Sequence, residues 1–236
     1  MSAARTPLAL VTGAGRGIGR ATAEALAAEG YRLVLAEVRP ALGRRTARAL
    51  ARRGAEVLFV QTDVADARSV QRMVRVVERR CGPLDLLVNN AGVLDPGPLD
   101  RLRAQAIQRM LAVNLAGPLL VTRAVLPEMR RRHAAAIINV ASLLGKMGLA
   151  NYVTYCASKF GVVGFTEALA DELAGTGISV WAVCPGQVDT PMATKSGVSP
   201  RERRGLIRPE AVARVIVALA TGRRKAASGA AIDVTR

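Results

Sequence analysis

A tyrosine and a lysine stand four residues apart in "NYVTYCASKF" (151–160), so Tyr155 and Lys159 can share one helix face and meet one turn apart. A phenol titrates at about 10 and by itself is a poor proton carrier at neutral pH. An ammonium one turn away favours the phenolate and brings proton exchange with a substrate oxygen within reach. The same spacing also describes a tyrosine at the edge of a core with a lysine stem lying over it, so the pair alone decides nothing. Tyr152 has Cys156 rather than a lysine at that interval, and it reads as helix-start packing or pocket wall. Cys156 and Ser158 flank the pair with neither base nor metal partner and read as packing positions.

The elements that would position this pair are visible in the hydrophobic pattern. Short runs rich in leucine and β-branched residues alternate with long amphipathic segments: "LALVT" (8–12), "RLVLAE" (32–37), "AEVLFVQ" (55–61), "LDLLVNN" (84–90), "AAIINVAS" (135–142), "ISVWAVC" (178–184) and "AAIDV" (230–234). Helices are expected after the first three, ending near Glu29, Arg53 and Cys81. Several runs are apolar throughout, which suits a parallel sheet covered on both faces. The expected fold is α/β, a single Rossmann-type domain over residues 1–236 with a doubly wound sheet of about seven parallel strands flanked by helices. Ligands of such a sheet bind beyond the carboxyl ends of its strands.

The first run leads into "TGAGRGIG", which crowds Gly13, Gly15, Gly17 and Gly19 into a strand-to-helix turn. Glycines there permit tight backbone angles and let a pyrophosphate approach the N–H groups at the helix start. The spacing is TGxxxGxG, not GxGxxG. Further motifs follow in order: "NNAG" (89–92), "MLAVN" with Asn114 inside a helix, Ser142 at the end of the fifth strand, "YCASK" (155–159), and "PGQVDTPM" after the sixth strand. With these motifs in this order, nearly the whole chain resembles the short-chain dehydrogenase/reductase family.

That resemblance implies NAD or NADP held around Gly13, Arg16, Gly17, Ile18 and Gly19, with adenine contacts from Asp63 and Val64. Asn90, Ala91 and Gly92 would line the adenosine ribose, and Pro185, Gly186, Val188 and Thr190 would seat the nicotinamide. Tyr155 would be the proton donor to a carbonyl under reduction, or the base when an alcohol is oxidised. Lys159 would stabilise its phenolate and hold the nicotinamide ribose, Ser142 would orient the substrate oxygen, and Asn114 would hold a water in a proton relay to the lysine. Asn89 is left outside the site, as a tie between neighbouring strands.

Glu37 closes the second strand, where a carboxylate accepts hydrogen bonds from ribose hydroxyls and repels a 2′-phosphate. Arg16 and Arg39 could instead pair with that phosphate. Because the carboxylate occupies the place the phosphate needs, and a nearby arginine can simply pair with it, NAD is expected and NADP is the alternative.

The chain has 236 residues, 50% of them hydrophobic, and a net charge of +16. Such a charge raises the question of nucleic acid. The arginines fall instead on outer helix faces (Arg44, Arg48, Arg52; Arg72, Arg75, Arg79) with few aromatics between them, so a solvated surface without specific nucleic-acid binding is expected. The apolar run in "MSAARTPLALVTGAG" ends in glycines too soon for a signal peptide, and no uninterrupted apolar stretch has the length of a membrane span. Cys81, Cys156 and Cys184, with the single His133, match neither a disulfide framework nor a zinc pattern, so a reduced, cytoplasmic protein without a structural metal is expected. "TKSGVSPRERRGL" (194–206) reads as a polar loop.

The resulting function is hydride transfer between a nicotinamide cofactor and a ketone or secondary alcohol, in a pocket walled by Leu94, Leu143, Leu144, Met147, Leu149 and Gln187. The alternative is a 3-oxoacyl-carrier-protein reductase, with "MRRRH" (129–133) presenting arginines to an acidic carrier. A reading from another class, a catalytically idle nucleotide- or nucleic-acid-binding protein, is opposed by the intact set Asn114, Ser142, Tyr155 and Lys159. A homodimer or homotetramer is expected, the tetramer less so because the chain stops at "AAIDVTR" without the glycine pair and tail common in the family.

Overall fold

Strands β1 (Leu8–Thr12), β2 (Arg32–Glu37), β3 (Val57–Gln61), β4 (Leu86–Asn89), β5 (Ala135–Val140), β6 (Ile178–Pro185) and β7 (Ala231–Val234) form one parallel sheet in the order β3-β2-β1-β4-β5-β6-β7. The computed structural model describes residues 6–131, 134–199 and 201–235. Each face of the sheet has its own core, which is why the strands are apolar on both sides. Ala9, Val11, Leu33 and Leu35 pack with residues of α1 (Gly17–Ala28), α2 (Pro40–Ala51) and α8 (Pro209–Ala220). Their neighbours Leu8, Leu10, Val34 and Ala36 face the other way, toward α3 (Ala67–Arg80), α5 (Gly117–Met129) and α6 (Val153–Glu172). The chain order reverses at β1, which pairs with β2 on one side and β4 on the other. The crevice beyond the carboxyl ends of β1 and β4 is therefore the switch point where a doubly wound sheet takes its ligand.

Three local expectations are corrected. β5 ends at Val140, not at Ser142: the Ser142 Oγ accepts the Leu144 N–H (3.1 Å), and this local bond turns the chain into a 3₁₀ turn at Leu143–Gly145. The polar stretch 194–206 is not all loop, because α7 (Pro191–Lys195) runs into it and a 3₁₀ turn covers Glu202–Gly205; Pro200 lies outside the described residues.

The third concerns apolar length. α4 (Ala104–Leu111), a π-helical segment (Ala112–Ala116) and α5 run on without a break, and Pro118, which has no N–H to donate to the preceding turn, comes directly after the π-helical segment. The resulting helix, Ala104–Met129, has 26 residues and a mean hydropathy of 1.5 in its most apolar window, enough by length and composition to cross a bilayer. Val121, Val125 and Met129 on it are buried in the core on the α5 face of the sheet.

Candidate active site

The glycine turn packs against the end of β4 with no room to spare. Gly13 adopts φ +63°, and a Cβ there would stand 2.8 Å from the Ala91 Cα. A Cβ on Gly19 would overlap the Asn90 Nδ2 and the Gly13 carbonyl. Arg16 gives α1 no side-chain cap, so the first-turn N–H groups of a twelve-residue helix face the crevice and can receive an anion. These residues fit the pyrophosphate of a nicotinamide dinucleotide. Ile18 is partly buried and packs on the core, so its main chain is what it offers a ligand.

Thr12, a residue that the sequence pattern does not single out for the site, locks this crevice. Its Oγ1 accepts the N–H groups of Asn90 (2.9 Å) and Ala91 (3.0 Å) and donates to the Val88 carbonyl (3.4 Å). The Asn90 Nδ2 returns to the Thr12 carbonyl (2.8 Å) and the Gly13 carbonyl (3.2 Å). A hydroxyl buried at the end of a strand (Thr12 is 2% exposed) was the available signal. Asn89 bonds to Thr122 (3.0 Å) and Asn139 (2.9 Å), which ties β4 to α5 and β5.

At the adenosine end, Glu37 is buried. Its Oε2 accepts the Gly15 N–H (3.1 Å), and its Oε1 accepts the Arg39 N–H (3.1 Å) and Nε (3.3 Å). Burial pushes the Arg16 guanidinium below its ordinary value, Arg39 adds to this and Glu37 opposes it, so the three charges share one neighbourhood. Asp63 begins a turn beyond β3 in which its Oδ1 accepts the Ala65 N–H (3.0 Å), and Val64 beside it is buried.

α6 carries Tyr155 and Lys159. The Tyr155 hydroxyl is hydrogen-bonded to Ser142; burial pushes the phenol up to about 12, with Ser142 opposing the rise. The Lys159 Nζ is 5.7 Å from the centre of the Tyr155 ring and donates to the Val140 carbonyl at the end of β5 (2.7 Å). Lys159 is 4% exposed, and burial pushes its ammonium down to about 8, with Cys184 opposing. The Ser142 Oγ also donates to the Pro185 carbonyl (3.5 Å), so the ends of β5 and β6 and the first turn of α6 meet at one point. Ser142, in the turn after β5, is thus brought together with Tyr155 and Lys159 of α6.

Asn114 joins them at one remove. It lies in the π-helical segment, an irregularity common at functional sites. Its Oδ1 accepts the Val93 N–H (2.8 Å), while its Nδ2 donates to the Val93 carbonyl (2.9 Å) and to the Ser158 Oγ (3.3 Å). Ser158 in turn donates to the Tyr155 carbonyl (2.7 Å). Ser158 is therefore a link between Asn114 and the tyrosine's helix, not mere packing. Both amide hydrogens of Asn114 are engaged.

The segment after β6 closes the crevice from above. Gly186 donates its N–H to the Val234 carbonyl (2.9 Å), Val188 is buried, and Thr190 caps α7 by accepting the Met192 N–H (3.3 Å). A Cβ on Gly17 would stand 3.0 Å from the Thr190 methyl, which places this segment directly over the glycine turn. Leu143 lies beside Gly186 and Leu94 is buried, whereas Met147 (55% exposed) and Leu149 (49%) form an open apolar rim. In "MRRRH", Arg130 pairs with Glu172 (2.9 Å) and Arg131 with Glu128 (2.7 Å); Arg132 and His133 lie outside the described residues.

The family profile of the short chain dehydrogenases matches residues 7–200. The 3-oxoacyl-(acyl-carrier-protein) reductase of Synechocystis sp. is 39% identical over 201 residues, 85% of this chain and 81% of that protein. The cis-4-hydroxycyclohexanecarboxylate dehydrogenase of Sinomonas cyclohexanicum is 38% identical over 235 residues, 96% of this chain and 94% of that protein. Among solved structures, a single-substitution variant of actinorhodin polyketide ketoreductase with NADPH has a TM-score of 0.92 at 35% identity, covering 100% of this chain and 98% of the other. The 3-ketoacyl-(acyl-carrier-protein) reductase of Brucella melitensis complexed with NADH has a TM-score of 0.89 at 30% identity, covering 97% and 96%.

Proposed function

The chain belongs to the short-chain dehydrogenase/reductase family and is an NAD(P)-dependent oxidoreductase acting on CH–OH groups, and from that premise we propose that it reduces the ketone of a 3-oxoacyl thioester, with Tyr155 as the proton donor. The observation that carries this reading is the convergence of the Ser142 and Tyr155 hydroxyls beside the buried Lys159 ammonium, at the carboxyl edge of the sheet. A nicotinamide dinucleotide held at the glycine turn of residues 13–19 would supply the hydride for the carbonyl carbon. As that bond forms, charge develops on the oxygen, and the Tyr155 O–H transfers its proton there while Ser142 holds the oxygen in place. The Lys159 ammonium, one helical turn away, stabilises the phenolate left behind until solvent returns the proton. The carbonyl has then gained one hydride and one proton and become a secondary alcohol.

The thioester is favoured because reductases of 3-oxoacyl carriers and polyketides are among the proteins this chain matches in sequence and fold. A small free ketone or alcohol is the second reading, favoured by the similarity to the cyclohexanecarboxylate dehydrogenase over 96% of the chain. A panel of 3-oxoacyl thioesters, cyclic ketones and secondary alcohols, each with both nicotinamide cofactors, separates the two. The expected result is a kcat/KM for the thioester at least about tenfold above that for any free ketone, which is ~1.4 kcal/mol of added transition-state binding. The opposite order replaces the first reading with the second. The free thiols Cys81, Cys156 and Cys184 suit work in a reducing cytoplasm.

For the cofactor we favour NAD, with NADP as the alternative. The buried Glu37 carboxylate over Gly15 would stand against a 2′-phosphate, and Arg39 beside it is already paired with that carboxylate. The kcat/KM ratio for NADH over NADPH is expected to exceed one in the wild type and to fall about tenfold or more in Glu37→Ala. A wild-type preference for NADPH, or an unchanged ratio in the variant, assigns the choice to Arg16 and Arg39 instead.

A further inference from the structure

Residues 186–199 leave the sheet after β6, and residues 201–208 return beside that starting point. The Ile207 N–H donates to the Gln187 carbonyl (3.0 Å), and the Asp189 N–H donates to the Ile207 carbonyl (2.8 Å). This closed lid lies over the crevice: a Cβ on Gly92 would stand 3.9 Å from the Met192 methyl, and Thr190 faces Gly17. Where the lid returns, Asp189, Arg203, Arg204 and Arg208 line an open hollow of about 270 Å³.

Its charges do not balance. Asp189 is committed to Arg203, whose Nε reaches it at 2.7 Å. Arg208 has only a loose contact with Glu210, 3.8 Å apart with both side chains mostly exposed, and Arg204 has no carboxylate partner among the described residues. Such an exposed pair contributes little and exchanges readily for a better anion. Arg214, likewise without a carboxylate partner among the described residues, lines the neighbouring hollow on the far side of Arg208. The arginines at 130 and 131, by contrast, each have a carboxylate in contact. On the lid, Arg204 and Arg208 are therefore left without a close carboxylate among the described residues.

We propose that Arg204 and Arg208 form an anion site that receives the phosphate of a phosphopantetheine arm, so that the thioester enters under the lid on that arm. This rests on the thioester reading above and names how such a substrate is held. Planar guanidinium forks match phosphate oxygens, and two unsatisfied cations match a single phosphate. The apolar rim of Leu143, Met147 and Leu149 supplies a surface for the acyl part.

The arm could come from a carrier protein or from coenzyme A, so the test uses three acetoacetyl thioesters: carrier-linked, coenzyme A, and N-acetylcysteamine, which lacks the phosphate. Arg204→Ala/Arg208→Ala is expected to lower kcat/KM about tenfold or more for the first two, through KM and less so at high salt, and to leave the third unchanged. The Lys/Lys variant should recover part of the loss. Arg44→Ala/Arg48→Ala on α2, which removes the same charge elsewhere, should do nothing. Equal losses for all three substrates, no loss, or an equal loss in the α2 variant overturns the anion site. A loss confined to the carrier-linked substrate also overturns it, in favour of a surface that reads the carrier itself. If the wild type reduces none of the thioesters, the thioester reading fails by itself. The anion site is then judged by calorimetry with 4′-phosphopantetheine against pantetheine: about tenfold tighter binding of the phosphorylated form, lost in the Ala/Ala variant, supports it, and equal binding overturns it.

Discussion

Tyr155→Phe should lose between about a hundredfold and ten-thousandfold in turnover, the usual worth of a positioned general acid, while binding the cofactor within about twofold of wild type. The substitution removes one hydroxyl and almost no surface. It leaves Ser142 with its bonds to the Leu144 N–H and the Pro185 carbonyl, so the site is expected to keep its shape. The loss should appear in kcat and in kcat/KM alike, because the proton moves only as the transition state forms. Steady-state kinetics together with cofactor fluorescence titration would read both quantities. Retention of more than about a tenth of wild-type kcat/KM, a loss under ~1.4 kcal/mol, would remove Tyr155 from this role.

Lys159→Met should abolish turnover and also change how stability responds to pH. Burial pushes the Lys159 ammonium down to about 8, so the folded chain without ligand disfavours the charge. A lysine whose folded value lies below its unfolded value of about 10.5 binds fewer protons folded than unfolded between those two values, so stability rises with pH across that window. The penalty is fully present below pH 8 and relieved above about 10.5. Methionine carries no charge to titrate. Urea unfolding at pH 7 and pH 10 should therefore show the wild type gaining stability relative to Lys159→Met, by an amount on the order of 2 kcal/mol. A relative loss, or no change, would show that the ammonium is not desolvated in the fold. The same titration has a kinetic face: kcat/KM for reduction should fall as pH rises through about 8, where the free enzyme loses this cation.

Much of the site could be read from the chain because its requirements are local. The glycines of "TGAGRGIG" stand where a strand hands over to a helix, and the structure shows no room for a side chain at Gly13 or Gly19. Tyr155 and Lys159 face each other because a helix repeats every 3.6 residues, and no distant residue is needed to bring them to one side. The strand runs were legible because burial on both faces removes polar residues from every position.

Less legible were the residues whose roles depend on a neighbour far along the chain. Ser158 looked like packing because Asn114, its partner, is 44 residues away. The arginines of 129–133 and those of the lid look alike in sequence, yet Glu172 stands against Arg130 while no carboxylate among the described residues stands against Arg204. A charge acquires its meaning from what faces it, and spacing along the chain does not contain that information.

By itself the sequence determined the parallel, doubly wound character of the sheet, the glycine turn at its first strand, and the pairing of phenol with ammonium on one helix. Each follows from a period or a steric limit that acts within a few residues. Only the tertiary structure decided that Ser142 meets Tyr155, that Lys159 is desolvated against the Val140 carbonyl, that Glu37 is committed to Gly15 and Arg39, and which arginines of the lid lack a carboxylate among the described residues. These are matters of burial and of contact across the sheet's edge, and they come into being only when the strands and helices pack.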